Sequence, residues 1–417
     1  MRPGLMLIVR RSLRQHALST SVTVVSVALA CGLVMAVFAI KRQSYDAFTG
    51  GAQGFDAVLG ARGSQLQLVL NAVFHLETSP GNIPWQLYES VEEDPGVELA
   101  VPYAVGDSYE GFRIIGTTTD LFTRFPGEGG LTVTSGGRLF TADAKEAVVG
   151  SVVAQRTGVR AGDHLEPSHG LADVEGKAHD DEYTVVGVLA PTNSPLDRLV
   201  FIPIEGVFRM SGHVLRGTGR NYRPEEGVEI PDEHREVSAV MLKLADPQAG
   251  MFLDQAINRQ GTRATLAWPI GRSMADLFEK IGWVNQVLEL VAYFVVVVAA
   301  GTILASLYNT MHERRREFAI LRALGARRRT VSSAIVLEAT TITALGALVG
   351  YAVYAVILGV AFVIVREQTG VVLQVFKPDQ ALWLTPLGMV VLGALAGLLP
   401  AIKAYRTDVA GNLTPTS

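Results

Sequence analysis

Three histidines, His164, His169 and His179, stand among carboxylates in the stretch DHLEPSHGLADVEGKAHDDE, residues 163–182. Imidazole and carboxylate are ligands for zinc and similar ions, and a flexible loop can fold around one. The spacing matches no closed site of the H-E-x-x-H kind, and no thiolate lies nearby. A solvated acidic loop between two strands is the plainer reading, with zinc binding as the alternative chemistry. No nucleophile triad, cofactor loop or redox pair is visible, which argues against an independent enzyme. No G-x-x-x-x-G-K-[ST] sequence occurs either, so these residues supply no phosphate cradle of the usual kind.

Two other features are built for recognition rather than catalysis. Met311–Arg329, MHERRREFAILRALGARRR, holds seven arginines against Glu313 and Glu317 and is wedged between long apolar runs. Phe318, Leu321 and Gly325 recur at helical spacing, and Ile320 and Leu324 line a neighbouring row. Gly325 is a suitable stop for that short helix, because glycine accepts the left-handed conformation past a helix end. A solvated loop facing anionic lipid would not need the apolar stripe, so docking to a protein partner is expected. Glu338 sits a turn or two inside the next apolar run, where an ionisable group is expensive and faces a bundle interior or a polar neighbour. Either it is a coupling or dimer-contact residue, or it snorkels to the interface or pairs with a nearby arginine. No second buried acid or histidine accompanies it, so nothing favours a proton relay.

These residues are carried by a chain of 417 residues that is 49% hydrophobic and 18% charged, more apolar than a typical soluble protein. Four runs, 17–40, 284–307, 331–365 and 381–402, reach the roughly 20 apolar residues that a bilayer span needs. Lys and Arg accumulate in cytoplasmic loops. That places residues 1–16 with Arg10, Arg11 and Arg14, the loop 308–330, and the tail 403–417 with Lys403 and Arg406 inside. Residues 41–283 and the short loop 366–380 then lie outside. The first run continues unbroken to Ile40, so it reads as a retained anchor and not a cleaved signal. Ala28-Leu29-Ala30-Cys31 approximates a lipoprotein cleavage site, but Cys31 is mid-span and reads as a small packing residue. As the one cysteine it offers no internal disulfide.

The outer segment carries 33 acidic and 21 basic residues, an ordinary solvated surface with no nucleic-acid footprint. Its pattern is mixed. Val97–Ala104, Gly111–Gly116, Ala147–Gly150, Tyr183–Leu189, Arg198–Pro203 and Ser238–Leu244 read as strands bounded by Gly or Pro. Ser151–Thr157 and Asp246–Gln260 read as helices, the second started by Asp246-Pro247. Arg272–Glu279 leads without a breaker into the second apolar run, as a stalk would, and Tyr45–Gly54 is its candidate counterpart. The expected fold is an α-helical membrane protein with four transmembrane helices and a large α+β extracytoplasmic (periplasmic) domain between helices 1 and 2.

Three stretches resemble permeases of the MacB/LolCDE/FtsX class of ABC transporters, the mechanotransmission type. The most specific is RRREFAILRALGARRRTV followed by IVLEA from Ile335; the second is the C-terminal LLPAIKAYRTDVAGNLTP. The third is the external pair AVVGSVVAQRTGVRAGDHL and YTVVGVLAPTNSPLDRLVFIPIE. One departure is Thr407-Asp408-Val409-Ala410, which lacks the proline often found after the acidic residue. The resemblance implies a bacterial inner-membrane protein with both termini cytoplasmic. It implies no cofactor in this chain, with ATP and Mg held by a separate ATPase of which two copies bind two permeases, alike or homologous. Its coupling helix would be Met311–Leu324, ending at Gly325. Phe318, Leu321 and Leu324 would be the buried anchors, and Glu313, Arg314, Arg315, Arg316, Glu317 and Arg322 a charged rim. The implied work is movement of an amphipathic substrate (lipoprotein, lipid, peptide or drug) on the outer side, with a periplasmic adaptor or substrate-delivery protein as a further partner. The alternatives are signalling to an external partner, as in FtsX proteins, and metal-linked transport through the histidine loop.

Overall fold

The computed structural model describes residues 3–49, 54–127, 129–170, 181–210, 215, 217–218, 230–314, 317, 320, 322, 325–370, 372, 374 and 377–405. They form two compact units. One contains Met1–Ser44, Ile281–Val363 and Leu373–Ser417; the other contains Tyr45–Lys280 with Ile364–Val372.

Among the described residues, four helices are long and apolar enough to cross a membrane: Ala17–Thr49, Gly282–Glu313, Arg328–Thr369 and Ala381–Ile402. A shorter helix, Pro3–Gln15, precedes them. The first and third long helices approach closely because small residues face each other. A Cβ on Gly346 would stand 2.6 Å from Val27, and one on Gly32 would stand 2.6 Å from Val353. Gly350 lies against Cys31, which is fully buried as a packing residue. The fourth long helix approaches the third in the same way, with Gly393 against Thr343 and Gly397 against Ala339. Both contacts use a glycine every fourth residue, the spacing that lets apolar helices gain from close backbone packing. Pro386 has no N–H for the carbonyl of Leu382, and Tyr351 Oη donates to that oxygen instead, at 2.6 Å.

Among the described residues, the sheet unit is built on a ten-stranded sheet, with Ile83–Pro84 and Glu236–Val237 pairing apart from it. Nine run side by side, in the order Ala264–Ala267, Ala57–Ala61, Ala239–Leu244, Val97–Tyr109, Phe112–Thr117, Val200–Pro203, Glu146–Val149, Tyr183–Val188 and His164–Leu165. Ser168–His169 adds to Val97–Tyr109. Two neighbouring pairs are parallel, Phe112–Thr117 with Val200–Pro203 and Glu146–Val149 with Tyr183–Val188. Side-chain alternation along the long strand Val97–Tyr109 sends Leu99, Val101 and Tyr103 into one core and Ala100 and Ala104 into another. Leu68 and Met274 from the helices Gln65–Ala72 and Ile270–Lys280 fill the first, and Tyr88 and Phe208 from Trp85–Glu92 and Ile204–Arg209 fill the second.

Local signals act as their chemistry requires. Asp246 accepts from the N–H of Ala249 at 2.8 Å and Pro247 opens the helix Pro247–Asp254. Gly158, at φ +78°, closes Ser151–Thr157. The stalk reading needs one correction: the helix Ile270–Lys280 does not run unbroken into the next. The backbone leaves helical geometry at Ile281 (φ −93°, ψ 7°), just before Gly282.

Candidate functional site

Three distant parts of the helical unit meet at Arg314. This residue follows the helix Gly282–Glu313, and its N–H bonds the carbonyl of Thr310 at 3.1 Å. A cation there is favoured by the partial negative charge of the helix end. Its side chain turns inward and is 7% exposed. Arg314 Nη1 donates to Ser12 Oγ at 2.6 Å and to Glu338 Oε2 at 3.3 Å, while Nε donates to Glu317 Oε2 at 3.0 Å. Ser12 Oγ in turn donates to Glu338 Oε1 at 2.5 Å. The hydroxyl thus accepts from the cation and donates to the anion, so the helices Pro3–Gln15 and Arg328–Thr369 share one buried polar brace with the start of the basic segment. Val331, Ile335 and Ala401 make an apolar cluster with Met311, from the same helix as Thr310.

Glu338, at 6% exposure, therefore pairs with an arginine inside the chain and does not reach for the surface. Arg314, expected on a charged rim, is internal for the same reason: Glu338 would otherwise be a buried charge without compensation. Glu313 and Glu317 are exposed, and Glu313 lies 3.4 Å from His16 Nε2. Ile320 is exposed and Arg322 half-buried. Gly325 takes φ +94°, with its N–H bonded to Arg322 O at 3.0 Å. Arg315, Arg316, Phe318, Leu321 and Leu324 lie outside the described residues. Ser12 was not singled out in the sequence, because a serine between Arg11 and Leu13 carries no signal of a distant partner.

A second polar brace joins other parts of this unit. Gln43 Nε2 donates to Gln374 O at 3.0 Å and its Oε1 accepts from Gln374 N at 2.7 Å. Lys41 Nζ lies 2.5 Å from Glu289 Oε1 and Arg42 Nη1 3.5 Å from Asp379.

His164 and His169 of the acidic stretch do not share one place on the sheet. His164 pairs with Thr184 in strand register and lies 3.4 Å from Glu182, whereas His169 stands opposite Asp107. His179 lies outside the described residues. Among the described residues, no group of three or more His, Cys, Asp or Glu is placed to hold a metal ion.

Residues 20–260 match the family model of the MacB-like periplasmic core domain, and residues 289–409 match that of the FtsX-like permease C-terminal region. Among solved structures, the chain is similar to the periplasmic region of MacB from Actinobacillus actinomycetemcomitans. That likeness has 12% identity and a TM-score of 0.33, over 55% of this chain and 94% of that one. It is also similar to the extracellular domain of the noncanonic ABC-type transporter YknZ from Gram-positive bacteria, with 15% identity and a TM-score of 0.29, over 51% of this chain and 99% of that one. No curated relative matches the chain. With the first family model spanning more than half of its residues and the second most of the remainder, the chain belongs to the MacB/FtsX-type family of ABC transporter permeases.

Proposed function

We propose that the chain converts ATP hydrolysis on a separate ATPase subunit into movement of its sheet unit on the outer side of a bacterial inner membrane, displacing an amphipathic substrate. The observation that carries this reading is the Arg314–Ser12–Glu338 brace. A docked ATPase that pulls on the segment after Arg314 pulls on the helices of Ser12 and Glu338 as well. Buried, directional bonds transmit such a displacement where an exposed ion pair would slip. Phe318, Leu321 and Leu324 supply the docking anchors in this scheme, and ATP and Mg stay with the ATPase. The working unit is two ATPases with two permeases. Exposed apolar side chains such as Leu348, Val356, Trp383 and Leu387 suit lipid or a second permease.

The test is co-purification of the ATPase with the membrane-inserted chain. Leu321→Asp is expected to abolish ATPase recovery, because a carboxylate in an apolar docking pocket is left unpaired. Insertion into the membrane stays unchanged. Undiminished recovery with this variant removes the docking assignment.

A further inference from the structure

One cavity of the sheet unit, about 270 Å³ in volume, gathers cationic groups that no part of the coupling scheme uses. Arg113 lines it and is 5% exposed. Its Nη1 and Nη2 donate to the carbonyls of Asn71 at 3.2 Å and Glu77 at 2.7 Å, which fixes the guanidinium in place. Arg198 lines the same cavity, with its guanidinium 5.9 Å from the centre of the Phe112 ring. Among the described residues, Arg113 Nε, Arg198 Nη1 and His75 Nδ1 are buried nitrogens without a hydrogen-bond partner, and all three residues line this one space.

Buried polar atoms in folded proteins are nearly always bonded, so three unmet nitrogens around one cavity point to something that fills it. Burial disfavours the charge on both arginines, and Arg156 adds repulsion at Arg198 that Glu367 offsets in part. The nearby carboxylates answer them only in part. Glu77 is exposed and accepts from the N–H of Thr78 at 3.2 Å, and Glu367 pairs with Arg156 at 3.0 Å. Burial, aided by Arg113 and opposed in part by the Asn71 backbone, holds His75 near a pKa of about 3, so its ring is neutral and serves as donor or acceptor according to tautomer. His75 also holds a left-handed backbone (φ +57°), a conformation that side chains other than glycine adopt at a cost and that gathers at binding sites.

We propose that this cavity binds one phosphate group, held by Arg113 and Arg198 with His75 as the third polar wall. Two guanidinium groups suit the several acceptor oxygens of a phosphate and supply the opposite charge. The volume suits a headgroup-sized anion and lies below the usual range for drug-sized ligands. Gln368 and Thr369, which complete the lining, form the last turn of the long helix Arg328–Thr369. Phospholipid headgroups and free phosphate share this chemistry, and the site is independent of the ATPase-docking reading.

The test uses the full chain in an uncharged detergent, with inorganic phosphate as the first probe and nanodiscs of phosphatidylglycerol or phosphatidylcholine as the second. Wild type is expected to bind phosphate saturably, or to retain phosphatidylglycerol over phosphatidylcholine. Arg198→Gln removes one cation from a half-exposed position, and Gln368→Glu places a repelling charge at an exposed one, so neither disturbs the core. Both are expected to weaken binding at least tenfold, while Arg160→Gln, exposed and outside the cavity, does not. Phosphate binding lost in both variants identifies the free anion. A phosphatidylglycerol preference lost in both, without phosphate binding, identifies the headgroup. Saturation by neither probe, or wild-type binding in either variant, overturns the site.

Discussion

Arg314 and Glu338 hold opposite charges 3.3 Å apart where each is more than nine-tenths buried. Such a pair adds little net stability over an apolar one, but either member alone is costly. Glu338→Ala is therefore expected to destabilise the full chain by about 3–5 kcal/mol, read as a lowered thermal midpoint in detergent. Replacing both, as Arg314→Met with Glu338→Leu, should recover most of that loss, since no charge then remains unpaired. A single variant as stable as wild type would show that the brace bears no structural weight. Glu338 and Arg314 were both visible in the sequence as residues worth weighing. Their bond was not, because no spacing rule joins residues 24 positions apart through Ser12 of another helix.

At the scale of elements, the helical unit depends on where side chains are missing. Gly346→Leu drives a side chain into Val27 and the carbonyl of Val24, so it is expected to cost about 1–3 kcal/mol or more and to lower the thermal midpoint. Gly301 meets nothing within 4 Å, so Gly301→Leu serves as the contrast and should leave the midpoint near wild type. Equal behaviour of the two would refute close packing at Gly346. In the sheet unit, the strands read in advance were those with Gly or Pro boundaries and rows of Val, Ile or Tyr. Ala57–Ala61 and Ala264–Ala267 escaped notice. Both are short and alanine-rich, without the rows of Val, Ile or Tyr that mark the others.

For the whole molecule, the arrangement of charge along the chain sets the strongest expectation. Arginine clusters flank the apolar runs on one side of the assigned topology, and the acidic segment lies on the other. With Cys31 replaced by alanine, single cysteines at the exposed positions Ile320 and Glu182 should label from opposite faces of sealed membranes. A membrane-impermeant thiol reagent applied to cells should reach Glu182→Cys and not Ile320→Cys. The reverse pattern, or labelling of both, breaks the coupling scheme, because the docking segment must face the ATP-bearing compartment.

The order of apolar runs, the basic segment at residues 311–329 and the strands rich in Val, Ile or Tyr between Gly or Pro were legible from the sequence because each is a local pattern. Hydrophobic length, charge bias and side-chain period are properties of neighbours in the chain, and so is the cap at Asp246. Tertiary structure alone decided which distant residues share a site. It turned Arg314 inward to Glu338 and Ser12, set Gly346 against Val27, and grouped Arg113, Arg198 and His75 around one cavity. Those partnerships depend on packing geometry between segments far apart in sequence, and a buried charge or a missing side chain acquires its meaning from what lies opposite.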